Sequence, residues 1–100
     1  MQQISYTDLS AFAEQNPHYM LIDVREEFEH QHFNIGGQNI PLQEVVGVAH
    51  TLPTNVPIVL YCKKGIRSVI AIQRLLQKND SLQLINLEGG IEHLLHTTHA

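Results

Sequence analysis

The one thiol of the chain, Cys62, is followed by Lys63, Lys64, Gly65, Ile66, Arg67 and Ser68. A cysteine that leaves a strand into a short glycine-containing loop and then a helix start sits at the base of an anion cradle. The unpaired amides of a curled loop and a first helical turn converge on the enclosed point, and the helix dipole adds about half a positive charge there. Gly65 permits the curl. These donors, with Lys63, Lys64 and Arg67 beside them, favour thiolate over thiol at Cys62 and so make it a nucleophile. The same surroundings stabilise a persulfide, Cys–S–S⁻. The competing reading, a small buried hydrophobe, leaves three cations and a glycine turn without a purpose.

The charge distribution points to the same segment. Five of the six basic residues, Lys63, Lys64, Arg67, Arg74 and Lys78, fall in a window free of Asp and Glu, while all ten acids lie elsewhere with Arg25. Arg74 and Lys78, spaced i, i+4, read as the solvated face of a helix. The net charge of −4 argues against generic nucleic-acid binding. Seven histidines raise the question of a metal, with His93, His96 and His99 at spacing three and His30 near His32. No carboxylate or cysteine completes a set, so the C-terminal histidines read as a solvated tail and no metal is expected. Tyr61, just before the cysteine, reads as a packed strand residue and not as a catalytic acid.

At 100 residues, with 43% hydrophobic and 16% charged, the composition predicts one folded domain over 1–100. Its apolar runs are far shorter than the roughly 20 residues that span a bilayer, and Met1-Gln2-Gln3-Ile4 lacks the basic and apolar regions of a signal peptide. The expectation is therefore a protein without membrane insertion or secretion. One cysteine makes neither an internal disulfide nor a cysteine-based zinc site, which points to a reducing, cytoplasmic setting.

The elements that must position Cys62 follow from periodicity and turn residues. Ile4 to Tyr6 reads as a short strand, Thr7 as the N-cap of a helix through Gln15 with Leu9, Phe12 and Ala13 on one face, and Asn16-Pro17 as its stop. Met20 to Val24 is a buried strand with Asp23 near its carboxyl end, and the charged run Arg25 to Glu29 a helical turn. Gly36-Gly37 makes a loop before a strand at Asn39-Ile40, closed by Pro41, and a helix follows from Gln43 to His50. Pro57 to Tyr61 is the clearest strand. Val69, Ile72, Leu75 and Leu76 give a helix over Ser68 to Gln77, then come a strand from Leu82 to Ile85 and a closing helix from Ile91 to His96 after Gly89-Gly90. Strands alternating with helices predict an α/β domain, a mostly parallel five-stranded sheet with helices on both faces. Ligands in such sheets bind beyond the carboxyl ends of the strands, where Cys62 falls.

These residues resemble the rhodanese-like sulfurtransferases. Cys62-Lys63-Lys64-Gly65-Ile66-Arg67-Ser68 is similar to the family loop Cys-x-x-Gly-x-Arg-Ser between a strand and a helix. Leu21-Ile22-Asp23-Val24-Arg25 resembles the family's first signature, Gly36 to Pro41 its Gly-x-x-Asn-Ile-Pro, and Leu87-Glu88-Gly89-Gly90-Ile91 its late turn. The set spans most of the chain in the family's order. Two departures stand out: Leu94 is near a position where the family often has tryptophan, and Phe33-Asn34-Ile35-Gly36-Gly37 replaces His-Ile-Pro-Gly-Ala.

The resemblance implies a single-domain rhodanese-type enzyme, needing no cofactor, that moves a sulfane sulfur from a donor such as thiosulfate to a thiol or cyanide acceptor through a persulfide on Cys62. By position, Lys63, Lys64, Gly65, Ile66, Arg67 and Ser68 bind the donor and stabilise the persulfide: Lys63, Lys64 and Arg67 attract and orient the anionic donor, the loop amides stabilise the charged intermediate, and Ser68 caps the helix or donates to the persulfide. Asp23 and Arg25 are structural, a charge pair at the strand end. The partners expected are small molecules or an acceptor protein, and the state a monomer. A persulfide carrier or interaction module loaded by a partner is the alternative. A cysteine-dependent phosphatase is disfavoured, because those enzymes put five residues between Cys and Arg and here Lys63, Lys64, Gly65 and Ile66 make four.

Overall fold

A computed structural model describes residues 1–95. The strands β1 (Gln2–Ile4), β2 (Met20–Asp23), β3 (Gln38–Asn39), β4 (Pro57–Tyr61) and β5 (Gln83–Leu87) form one sheet in the order β1-β5-β4-β2-β3. Every pairing is parallel. The helices are α1 (Tyr6–Gln15), α2 (Glu27–His32), α3 (Leu42–Val45) continuing into a 3-10 segment (Val46–Thr51), α4 (Ile66–Lys78) and α5 (Glu92–Leu95).

The period of two along β4 divides the core. Ile58 and Leu60 face a layer with Ile22, Val45, Ala49, Ala71, Ile72 and Leu75, which brings α3, the 3-10 segment and α4 onto one face. Val59 and Tyr61 face the other way, onto Leu9, Ile85, Leu87 and Ile91, with Phe12 and Leu94 packed alongside. Both faces of β4 are thus shielded from water, as a central parallel strand requires. On α4 the inward stripe is Ser68, Ala71, Ile72 and Leu75, spaced i, i+3, i+4, i+7. Leu76, assigned to that stripe from the sequence, is 38% exposed, while Arg74 and Lys78 are solvated as expected.

The strand order also fixes where a site can form. From β2 the chain turns outward to β3, and from β4 it turns the opposite way to β5, so the connections diverge between β2 and β4. That divergence opens a crevice at the carboxyl ends of these two strands. Asp23 and Tyr61 are register partners there, and Cys62 is the next residue.

Several element boundaries differ from the sequence expectation. The first strand lies at Gln2–Ile4, because its register is set by β5, and α1 starts at Tyr6 with Ser5 as N-cap, its hydroxyl accepting the Asp8 amide at 3.1 Å. Thr7 falls inside the first turn. The helix expected over Gln43 to His50 is a single α turn that tightens to 3-10 geometry, since Val45, Val46, Gly47 and Val48 are poor helix formers. The charged turn expected from Arg25 begins at Glu27, after a capping box between Glu26 and Glu29. β3 starts one residue early at Gln38, β5 runs on to Leu87, and α4 begins two residues before Ser68. His96 and His99 lie outside the described residues.

Tyr61 is buried, and its hydroxyl donates to the Gly36 carbonyl at 2.8 Å while accepting the Ile35 amide at 3.3 Å. Burial is the main reason its phenol is pushed up to about 12. It pins the loop between α2 and β3 to the central strand. Tyr61→Phe is expected to lower stability by about 1–2 kcal/mol in urea unfolding, leaving the rate of Cys62 alkylation unchanged.

Candidate active site

Cys62 follows β4 directly, and the chain then curls back so that two backbone amides point at its sulfur. Gly65 N–H donates to Sγ at 3.1 Å and Ser68 N–H at 3.4 Å. The curl depends on Gly65, the N-cap of α4, whose φ of +87° lies in the left-handed region that costs other residues about 1–2 kcal/mol. Ile66 and Arg67 open α4, and a helix has no preceding carbonyls for the amides of its first turn. Cys62 is 1% exposed and lines a pocket of about 180 Å³ together with Lys63, Lys64, Ile66 and Arg67.

Ser68 is the third residue of α4 and does not cap it, because Gly65 holds that position. Its Oγ lies 3.4 Å from Sγ, and its proton goes to Asn86 Oδ1 at 2.5 Å. Asn86 Nδ2 in turn donates to Gln3 Oε1 at 3.0 Å, so a chain of polar groups runs from Cys62 through β5 to β1. Asn86 is a site residue that the sequence reading missed. The available signal was a polar residue inside an otherwise apolar strand.

The late glycine pair supports the loop from behind. Ile91 N–H donates to the Cys62 carbonyl at 3.1 Å and Glu92 N–H to the Lys63 carbonyl at 2.8 Å. Gly90 has φ +65° and is packed so closely that a Cβ there would run into both of those carbonyl oxygens. Gly89, at φ +76°, faces open space. The start of the Cys62 loop is thereby hung from the turn between β5 and α5.

Carboxylates hold two of the four cations around this edge. Asp23 accepts from Arg25 Nη2 at 2.7 Å and from Arg25 Nε at 3.0 and 3.1 Å, and it also meets His30 Nδ1 at 2.9 Å. Burial raises the Asp23 pKa, but the hydrogen bonds from Arg25 and His30 outweigh it and hold the carboxyl below its ordinary value. Arg25 further donates to the Phe33 carbonyl at 2.6 Å, tying the end of β2 to the end of α2. Arg67 makes a bidentate pair with Glu29 at 2.6 and 3.0 Å. The Arg67 hydrogen bonds are the main reason the Glu29 carboxyl sits below the usual range. Lys63 and Lys64 make no ion pair among the described residues.

The structure thus brings Cys62, Lys63, Lys64, Gly65, Ile66, Arg67 and Ser68 together around one sulfur, with the Asp23–Arg25 pair at the neighbouring strand end. Among the histidines, His30 partners Asp23 and His93 packs edge-on against Tyr6 at 5.4 Å. Among the described residues no cluster of three metal-ligating side chains occurs, and no helix is long and apolar enough to cross a membrane.

An all-parallel sheet that presents a thiol in a tight amide loop at its carboxyl edge is the architecture of the rhodanese fold. The chain belongs to that family: the family model described as Rhodanese-like domain matches residues 5–96. The Bacillus subtilis (strain 168) protein YqhL, described as uncharacterized, is 42% identical over 74 residues, covering 72% of this chain and 57% of YqhL. The rhodanese-related protein of Thermoplasma volcanium superposes with a TM-score of 0.80 at 27% identity, covering 100% of this chain and 96% of that one. Human single-domain sulfurtransferase TSTD1 shares the fold, with a TM-score of 0.79 at 20% identity over 96% of this chain and 97% of its own. The chain spans only 57%, 25% and 31% of the length of three curated relatives it matches.

The two late glycines separate backbone strain from collision. Gly89→Ala is expected to cost only the left-handed penalty, about 1–2 kcal/mol, whereas Gly90→Ala adds displacement of the Cys62 and Lys63 carbonyls and costs more. Urea unfolding of the two variants measures the difference. Slower alkylation of Cys62 is expected in the Gly90 variant alone.

Proposed function

We propose that the protein is a sulfurtransferase that carries a sulfane sulfur from an anionic donor such as thiosulfate to a thiol or cyanide acceptor, through a persulfide on Cys62. One observation carries the proposal: the sulfur of the only cysteine accepts two backbone amides, and that cysteine lines a small pocket with two lysines. In the first step the Cys62 thiolate attacks the sulfane sulfur of thiosulfate, the donor S–S bond breaks and sulfite leaves with the bonding pair. In the second, the acceptor attacks the outer sulfur of the persulfide and the Cys62 thiolate is released.

The Gly65 and Ser68 amides serve both steps, because negative charge resides on Sγ before loading and returns to it on transfer. Ile66 and Arg67, the first residues of α4, line the pocket that the outer sulfur would fill. Lys63 and Lys64 supply the field that draws an anion to an otherwise acidic chain. The four-residue spacing between Cys62 and Arg67 suits one sulfur atom better than a phosphoryl group, whose equatorial oxygens would need the Arg67 fork that Glu29 fills. A free thiol with this role suits a reducing cytoplasmic setting and a protein acting as a monomer, with an acceptor that is either small or protein-borne.

Mass spectrometry after thiosulfate treatment is expected to show the gain of one sulfur atom, lost again on adding cyanide. With no second cysteine to resolve the persulfide as a disulfide, loading without acceptor should give a single-turnover burst and then stop. Absence of the adduct in the wild type, or its presence in Cys62→Ser, would overturn the assignment.

A further inference from the structure

Arg67 lines the Cys62 pocket, yet its fork is already filled by the Glu29 carboxylate. Glu29 is itself held in place, because its Oε1 also accepts the Glu26 amide at 3.0 Å and so closes the capping box of α2. A bidentate carboxylate matches in charge and planar geometry what an oxyanion would offer a guanidinium. The pair is only partly exposed, 33% for Arg67 and 18% for Glu29, so solvent weakens its field without abolishing it. Arg25 is occupied by Asp23 in the same manner. The pocket therefore presents two lysines where the sequence shows three neighbouring cations.

We infer that Glu29 is a positioning residue that sets donor specificity: by locking Arg67 into a neutral pair it withholds the fork from a donor's oxyanion group and turns the site toward donors with one negative charge over dianions. The inference rests on sulfur transfer at Cys62. Two donors isolate the charge. Thiosulfate is a dianion that transfers its sulfane sulfur to the Cys62 thiolate and leaves as sulfite. Methanethiosulfonate is a monoanion that makes the same persulfide and leaves as methanesulfinate. In both, the bond broken joins the sulfane sulfur to an oxidised sulfur, and one oxyanion group is replaced by methyl.

The readout is the ratio of kcat/KM for thiosulfate to that for methanethiosulfonate, with cyanide as acceptor. Glu29→Gln, which can still close the capping box, frees the Arg67 charge and should raise the ratio about tenfold, mainly through KM for thiosulfate. Arg67→Gln leaves the carboxylate bare and should lower the ratio by a similar factor. The double variant should return close to the wild-type ratio. A purely structural role for the pair would change both donors alike in each variant, so a constant ratio, or a shift in the same direction in both single variants, overturns the inference. If neither donor loads Cys62 by mass in any of these proteins, sulfur transfer itself is overturned, and the two failures are told apart.

Discussion

Everything at this site depends on bending a backbone tightly enough that two of its amides meet one sulfur atom. The bend needs a residue that tolerates a left-handed conformation, which Gly65 supplies, and a start of α4 that lies directly against the end of β4. It also needs something to hold the outer side of the curve. The turn at Gly89–Gly90 does this: the Ile91 and Glu92 amides that follow it donate to the carbonyls of Cys62 and Lys63, and Gly90 brings no side chain between the two segments. Because the donors are backbone groups fixed by a helix and a central strand, they need no reorganisation when charge appears on the sulfur.

The electrostatics follow a different rule from the one the basic run suggests. A cluster of cations beside a cysteine reads as a strong anion trap, but the fold returns carboxylates from elsewhere in the chain to two of the cations at this edge. Asp23 and Arg25 fasten the end of β2 to the segment after α2, and Glu29 fastens α2 to α4. Both pairs therefore position elements as well as neutralise charge. Lys63 and Lys64 and the oriented amides are left without a carboxylate partner among the described residues.

The parts of this arrangement that are local were legible in the sequence. Pro57–Tyr61 reads as a strand from its β-branched and aromatic residues, and the segment from Cys62 to Ser68 reads as a loop entering a helix because its glycine and its apolar spacing lie within a few residues. The parts set by distant partners were not. Ser5 and Thr7 are both good N-caps, and only the register of β1 on β5 decides between them. Glu29 is visible as one acid in a charged turn, but its partner is 38 residues away and no spacing rule connects them. Over Gln43 to His50 the reason is local: a cluster of valines around Gly47 outweighs the apolar pattern and tightens the helix to 3-10 geometry.

The account's central claim is that loop amides, more than side-chain cations, hold the charge of the sulfur carried on Cys62. Amide NMR of the ¹⁵N-labelled protein before and after loading with one sulfur tests it directly. The largest shifts are predicted at the amides from Lys64 to Ser68, and the same pattern is predicted in a Lys63→Ala, Lys64→Ala double variant. Loading that leaves those amides unmoved, or shifts that vanish when the two lysines are removed, would contradict the claim.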